Sequence, residues 1–427
     1  MQKMRNSFKF IHAADIHIDG ALSVASLYDM PLHMREVIEK ASRKAFSNLV
    51  ELALSSEVDF IVISGDLFDY PERGLSSQLF IRDEFKKLLD AGIYVYISAG
   101  NHDHYRAEFP HIDWPDNVFW FDSTNVLEYD FSKDGVDLAR VFGVSFFRRA
   151  EIDNLSQKFR EIPRSLGDDI FNIGVLHTNL QGSVGHLNYA PCTRQDLCEC
   201  NIDYWALGHV HTRLEIKGKD PAIIYPGCIQ GRGFYEQGQK GCYIVSVSCG
   251  KLDTMEHVAL DSVRFKDIDV DISDVFSLDE LIQSINGAVV GSLDAKIDML
   301  VAKVFLRNKC NIALSESDFD DILQETRQLI QRETMDRVHI YSISNEAVYY
   351  VNEIDMKHGI IGEFTSAIDK MLEDEDSLKE TLDILFEDRN ISKNLGEFTE
   401  SERKEILKMA KSLGIKLILS EGSELGK

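Results

Sequence analysis

Apolar residues in the first half of the chain fall in short runs, several of which stop at glycine, aspartate or histidine. Residues 8–14 predict a strand. Residues 32–54 carry Val37, Ala41, Ala45, Leu49 and Leu52 at helical spacing. The apolar run 60–64 ends at Gly65, residues 79–89 again have helical spacing, and 93–98 read as a strand. This β-α-β-α-β series predicts an α/β layered fold. Further strands are expected at 118–121, 141–144, 172–176, 204–207, 223–225 and 243–247, enough for two sheets packed face to face with helices outside.

A change of pattern near Arg264 marks a second domain. Strands at 265–272, 299–306 and 338–343 alternate with helices at 278–290 and 318–331, a small α+β unit. After Ile354 come three amphipathic helical patterns, 360–372, 378–386 and 397–413, with the acidic cluster Glu373-Asp374-Glu375-Asp376 between the first two. The expected division is therefore 1–263, 264–354 and 355–427.

With 427 residues there is room for two or three cores. No apolar run approaches the roughly 18 residues that span a bilayer. The start of the chain has Lys3 and Arg5 without an apolar signal core, so no targeting segment is expected. The 7 cysteines lack CxxC spacing and read as reduced thiols of a cytoplasmic protein, with Cys192, Cys198 and Cys200 as core filler rather than ligands. Net charge is −25; residues 266–427 hold 34 acidic and 19 basic side chains, or −15, leaving −10 on the rest. A chain this acidic does not bind polyanions through its bulk field. Contact with nucleic acid must rest on local basic groups, bound metals or a partner.

Five islands carry the candidate chemistry, each behind an apolar run: Asp15-Ile16-His17, Gly65-Asp66-Leu67-Phe68-Asp69, Gly100-Asn101-His102-Asp103, His177, and Gly208-His209-Val210-His211. Each alone is weak, since Gly, Asn and Asp favour turns in any case. Together they supply what a two-metal phosphoesterase needs: a carboxylate touching both ions, with imidazoles and a carbonyl oxygen around them. Such a pair lowers the pKa of water and neutralises charge on the phosphoryl oxygens. Asp15 and His17, two apart on an extended strand end, are expected to point to one side. Asp66, after a glycine, is the candidate bridging carboxylate, and Asn101 offers an amide oxygen. His102 is expected to protonate the leaving oxygen or stabilise the transition state, and Asp69 to hold its tautomer. Asp103 is a weaker supporting candidate and His104 a residue that lines the site. The other histidines, 12, 33, 111, 186, 257, 339 and 358, are read as surface or core. Gln230 and Arg232, after a Pro-Gly turn, are expected to approach a substrate phosphate.

The five islands resemble those of the calcineurin-like metallophosphoesterase superfamily. His12-Ala13-Ala14-Asp15-Ile16-His17, Gly65–Asp69, Tyr189-Ala190-Pro191-Cys192 and Asp203-Tyr204-Trp205-Ala206-Leu207-Gly208-His209-Val210-His211 are similar to the SbcD-type DNA-repair exonuclease subunits. Tyr225-Pro226-Gly227-Cys228-Ile229-Gln230-Gly231-Arg232 and residues 238–243 bring the chain nearest the bacterial YhaO-like branch. The likeness covers roughly residues 8–250; beyond 264 it extends only to the layout of a capping domain followed by helices. It implies a four-layer α/β/β/α sandwich and Mn²⁺ as the activating ion. One ion would take Asp15, His17, Asp66 and His211, and the other Asp66, Asn101, His177 and His209, with His102 as the catalytic histidine. It also implies a homodimer and an SbcC-type coiled-coil ATPase partner, for which the acidic tail is a candidate docking element.

The leading expectation is thus a two-metal DNA exo/endonuclease subunit acting in repair. A phosphodiesterase or phosphatase for a small nucleotide or phosphoprotein is the alternative that the acidic balance favours. A regulatory subunit with a vestigial centre is a third, opposed by the complete ligand set.

Overall fold

In this computed structural model the described residues are 6–20, 30–69, 74–105, 112–163, 170–180, 189–216, 221–312, 314, 316–349, 359–374 and 399–424. The chain divides into two compact units, residues 1–266 with 294–301, and residues 267–293 with 302–427.

The first unit contains two six-stranded sheets. One is built from β1 (Ser7–Ala13), β2 (Phe60–Ser64), β3 (Tyr94–Ser98), β4 (Val118–Trp120), β11 (Gly241–Ser248) and β12 (Lys251–Ala259), in the order β12-β11-β1-β2-β3-β4. The other comprises β5 (Leu127–Lys133), β6 (Val136–Val144), β7 (Phe171–His177), β8 (Tyr204–Gly208), β9 (Leu214–Ile216) and β10 (Ala222–Tyr225), in the order β5-β6-β7-β8-β10-β9. The centres of both sheets are parallel: β1 through β4 in the first, and β6, β7, β8 and β10 in the second.

Parallel strands buried on both faces read as continuous apolar runs, and side-chain alternation divides them between two cores. Phe8 and Phe10 of β1 and Phe60 and Val62 of β2 face the second sheet, where they meet Val141, Ile173, Tyr204 and Ala206. Ile11, Ala13, Ile61 and Ile63 face the other way, onto helices α2 (Ala41–Ser55) and α3 (Leu75–Asp90) through Phe46, Leu49, Ile81 and Phe85. The outer face of the second sheet packs Trp205, Val144 and Leu207 against Leu155 and Phe159 of a 3₁₀ turn (Leu155–Glu161) and Leu197 of α4 (Arg194–Cys198). The result is a four-layer α/β/β/α sandwich. Truncating one of the fully buried phenylalanines at its centre costs about 3–5 kcal/mol.

The helix expected over 32–54 is two helices, α1 (Leu32–Glu39) and α2, meeting at Lys40. Their backbone bonding continues through the junction, Lys40 N–H to Glu36 O at 3.1 Å and Lys44 N–H to Lys40 O at 3.0 Å. Helical hydrogen bonding therefore runs on through the junction. Strands β5, β9 and β12 were not expected. They lie at sheet edges with mostly exposed or half-buried side chains, so no clean apolar run marks them.

Strands β13 (Val263–Asp271) and β14 (Met299–Arg307), most of whose residues fall in the second unit, form a three-stranded sheet with β16 (Val338–Asn345), and that unit also holds α5 (Leu278–Val290) and α6 (Glu316–Thr334). A two-stranded pair joins β15 (Lys309–Cys310) to β17 (Val348–Tyr349). Helices α7 (Gly359–Glu373) and α8 (Glu400–Glu424) pack through Ile368, Met371, Leu372, Ile406 and Leu407. The helix expected at 378–386 lies outside the described residues. No helix among the described residues is long and apolar enough to cross a membrane.

Candidate metal centre

Every island follows, or ends, a central parallel strand: Asp15 and His17 after β1, Asp66 after β2, Asn101 and His102 after β3, His177 at the end of β7, and His209 and His211 after β8. Both sheets thus direct their carboxyl ends to one place, where open α/β sheets carry their ligands. The first two islands are zipped together by backbone bonds. Asp15 N–H donates to Gly65 O (3.2 Å), Ile16 and His17 N–H to Asp66 O (2.9 and 3.0 Å), and Ile18 N–H to Leu67 O (3.1 Å). Asp103 fastens the third, one carboxylate oxygen accepting from Leu67 N–H (2.8 Å) and the other from Gly100 N–H (2.7 Å).

Asp15 and His17 do not converge by strand alternation as expected. Both are left-handed, with φ of 50° and 45°, as are Asp66 at 53° and His209 at 98°. Such backbone is uncommon outside glycine and collects at functional sites, where the surrounding structure must hold it. The glycine beside His209 has a separate reason. A Cβ on Gly208 would lie 1.8 Å from Ser64 O, so no other residue lets β8 approach β2 this closely.

The imidazoles share one logic. His177 Nδ1 lies 2.9 Å from the carbonyl oxygen of Ser64, which can only accept, so Nδ1 carries the proton. In the neutral ring Nε2 is then a lone pair, yet it faces Asn101 Oδ1 at 3.1 Å and Asp66 Oδ2 at 3.4 Å, both also acceptors. His209 Nδ1 lies 3.2 Å from the same Asn101 oxygen. On the other side His211 Nδ1 is 2.6 Å from Glu236 Oε1, and His17 Nδ1 is 3.5 Å from Asp69 Oδ1. Their Nε2 atoms face each other at 3.2 Å, with Asp66 Oδ2 3.7 Å from His17 and Asp15 Oδ1 3.7 Å from His211.

Asp66 Oδ2 therefore stands between the two groups, while its Oδ1 accepts from His102 N–H at 2.9 Å. Acceptors turned on one another without hydrogens are unfavourable unless a proton or a cation lies among them. The donors are imidazole nitrogen, carboxylate and amide oxygen, and the spacings are close to the roughly 3 Å edge of a coordination shell with 2.1 Å bonds. Asp15, His17 and His211 form one set able to hold a metal ion, and Asp15, Asp66 and His177 another.

The electrostatics agree. Burial raises the cost of charge on Asp66, but His177, His17 and His102 hold its carboxyl well below the ordinary range. Burial likewise opposes charge on His177, which Asp66 and Asp15 nevertheless raise to about 9. His102 is the most open of the group, its side chain 26% exposed. Burial works against its charge, yet Asp69, in contact with its Nδ1, and Asp66 raise its pKa. His104, half-buried, lies within reach of the field of Asp66.

Arg232 is at the site, its guanidinium 3.4 Å from Asp69 Oδ2 and 3.1 Å from Glu236 Oε1. Gln230 is not, contrary to expectation. It is 4% exposed, with Nε2 donating to Val263 O and Gly231 O (2.6 and 2.9 Å) and Oε1 accepting from Ser262 and Val263 N–H (2.9 and 3.2 Å). An amide so committed to backbone braces a turn. Cys192 and Cys200 are buried as expected, but Cys198 is exposed. Glu236 was missed altogether; its one signal is its i,i+4 spacing from Arg232, in a chain with 71 acidic residues.

Residues 8–213 match the family model of the calcineurin-like phosphoesterases. The protein described as uncharacterized metallophosphoesterase YhaO of Bacillus subtilis is 38% identical over 282 residues, covering 66% of this chain and 67% of that protein. The DNA double-strand break repair protein Mre11 of Methanocaldococcus jannaschii is 24% identical over 393 residues, 88% of this chain and 97% of that protein. Mre11 of Sulfurisphaera tokodaii is 25% identical over 264 residues, 59% of this chain and 63% of that protein. The chain belongs to the calcineurin-like phosphoesterase family. It is a metal-dependent hydrolase of phosphoester bonds.

Proposed function

We propose that this hydrolase is a DNA exo/endonuclease of repair, working as a homodimer with an SbcC-type ATPase and activated by Mn²⁺. The observation that carries the reading is the pair of facing donor groups with Asp66 Oδ2 between them and His102 alongside. The likeness to Mre11 proteins, which in one case runs over 88% of this chain, supports nucleic acid as the substrate.

Asp15, His17, Asp66 and His211 would hold one ion, and Asp66, Asn101, His177 and His209 the other. The bound pair supplies activated water and neutralises charge on the phosphoryl oxygens. The protein's own part is orientation and proton transfer. His102, whose charged form Asp69 favours, would give its Nε2 proton to the leaving oxygen. Arg232 offers a cation at the rim of the site for a non-bridging phosphate oxygen.

The test is Mn²⁺-dependent degradation of end-labelled single- and double-stranded DNA, with bis-p-nitrophenyl phosphate alongside and His102→Ala as control. Cleavage of DNA and ester, both lost in the variant, is the expected result. If the small ester alone is cleaved even with the ATPase present, the substrate is a small phosphodiester, the reading that the net charge of −25 favours. The acidic tail is proposed as the docking element for the ATPase. Deleting residues after about 355 is expected to release the partner while leaving hydrolysis of short DNA intact, and retained pulldown would refute the docking role.

A further inference from the structure

The two halves of the centre are supported by different means. In the half containing His177, the outer imidazole nitrogen rests on a strand carbonyl, Ser64 O. In the half containing His17 and His211, the outer nitrogens face carboxylates, Asp69 and Glu236. A single guanidinium joins those carboxylates, with Arg232 Nη1 3.4 Å from Asp69 Oδ2 and Nη2 3.1 Å from Glu236 Oε1. The second oxygen of Glu236 accepts from Arg232 N–H at 2.8 Å, fixing the loop that carries both residues. Lys240 Nζ adds a bond to His211 O at 3.2 Å.

From this arrangement we infer that Arg232 and Glu236 are positioning residues for one metal ion of the pair. They set the affinity of the His17/His211 half and leave the His177/His209 half unaffected. The inference rests on the two-metal reading above. A carboxylate accepting the outer N–H fixes the tautomer and ring orientation of a ligating histidine and makes it more basic, and removing such a partner typically weakens metal binding about 10- to 100-fold. His211 depends on Glu236 directly. His17 is supported less directly, its Nδ1 facing Asp69 at 3.5 Å without a hydrogen bond while Arg232 pairs with the other oxygen of that carboxylate. The support of His177 lies in the sheet, so changes in the 232–236 loop do not reach it.

The experiment is Mn²⁺ titration by calorimetry, with EPR at each addition, on the full chain carrying Glu236→Gln and, separately, Arg232→Lys. The wild type is expected to bind two ions, seen as a spin-coupled pair. In Glu236→Gln one ion should bind as before and the other about 10- to 100-fold more weakly, so a six-line mononuclear spectrum appears at intermediate Mn²⁺. Arg232→Lys, which keeps the charge and loses the fork, should move the same site by less. Melting in EDTA at the wild-type temperature would separate positioning from a general loss of structure. Two ions bound with wild-type affinities in Glu236→Gln, or both weakened equally, overturns the inference. Fewer than two ions on the wild type removes the two-metal reading, and this inference with it.

Discussion

Replacing His12 by glutamine should make the first unit less sensitive to acid. His12 is fully buried on β1, one strand position from the metal-bearing loop, and joins the two sheets. Ser64 Oγ donates to Ala206 O at 2.9 Å, so it must accept from His12 Nε2 at 3.1 Å. His12 Nδ1 is then a lone pair and accepts from Tyr204 O–H at 3.0 Å, a phenol that burial keeps protonated. All three groups are satisfied only with a neutral imidazole, whose pKa burial lowers from 6.5 to about 3. The unfolded chain takes up a proton below pH 6.5 that the folded chain refuses until about pH 3. Stability is thus fully present above 6.5 and falls by about 1.4 kcal/mol per pH unit beneath it. At pH 5 the loss from this residue is about 2 kcal/mol. Glutamine offers an acceptor and a donor but does not titrate. His12→Gln is expected to cost about 1–2 kcal/mol at pH 7.5 and to recover about 2 kcal/mol relative to wild type at pH 5. The assay is urea unfolding in EDTA at pH 7.5, 6 and 5, followed by tryptophan fluorescence. All 3 tryptophans, Trp114, Trp120 and Trp205, lie in the same unit as His12. A difference between variant and wild type that stays constant across this range would refute the argument.

Gly208→Ala places a Cβ 1.8 Å from Ser64 O; it should lower stability by about 3 kcal/mol and abolish Mn²⁺ binding, as read by urea midpoint and calorimetry. With His102 as proton donor, Asp69→Asn removes a carboxylate that raises its pKa. The alkaline limb of the kcat/KM profile should therefore move to lower pH, and an unmoved limb would take Asp69 out of that role. Mn²⁺ at 100-fold over its dissociation constant should stabilise the protein by about 2.7 kcal/mol per site, measurable as a rise in Tm reversed by EDTA.

The central strands were legible because burial on both faces writes them as unbroken apolar runs ending in glycine or a ligand. The edge strands β5, β9 and β12 carry polar outer faces and left no such mark. Gln230 and Arg232 sit two apart in one loop and looked alike in sequence. Backbone carbonyl and amide groups 32 and 33 residues away capture one of them, and side chains of the site hold the other. Glu236 was invisible for the same reason: its partner His211 is 25 residues distant, and acidic side chains are too common here for one to stand out. Local pattern predicts which residues end a strand. It does not predict which loops the sheets will bring together.

The return of residues 294–301 to the first unit has a consequence for biosynthesis. Ser262 O accepts from Asp298 N–H at 2.7 Å and Met299 N–H at 3.1 Å, and Arg264 is 3.1 Å from Asp294. A nascent chain that has emerged only as far as residue 266 lacks these partners. The amino-terminal unit therefore receives its last segment only after residues 267–293, which belong to the other unit, have been made. The two units are thus interleaved along the sequence, and no single cut point separates one from the other.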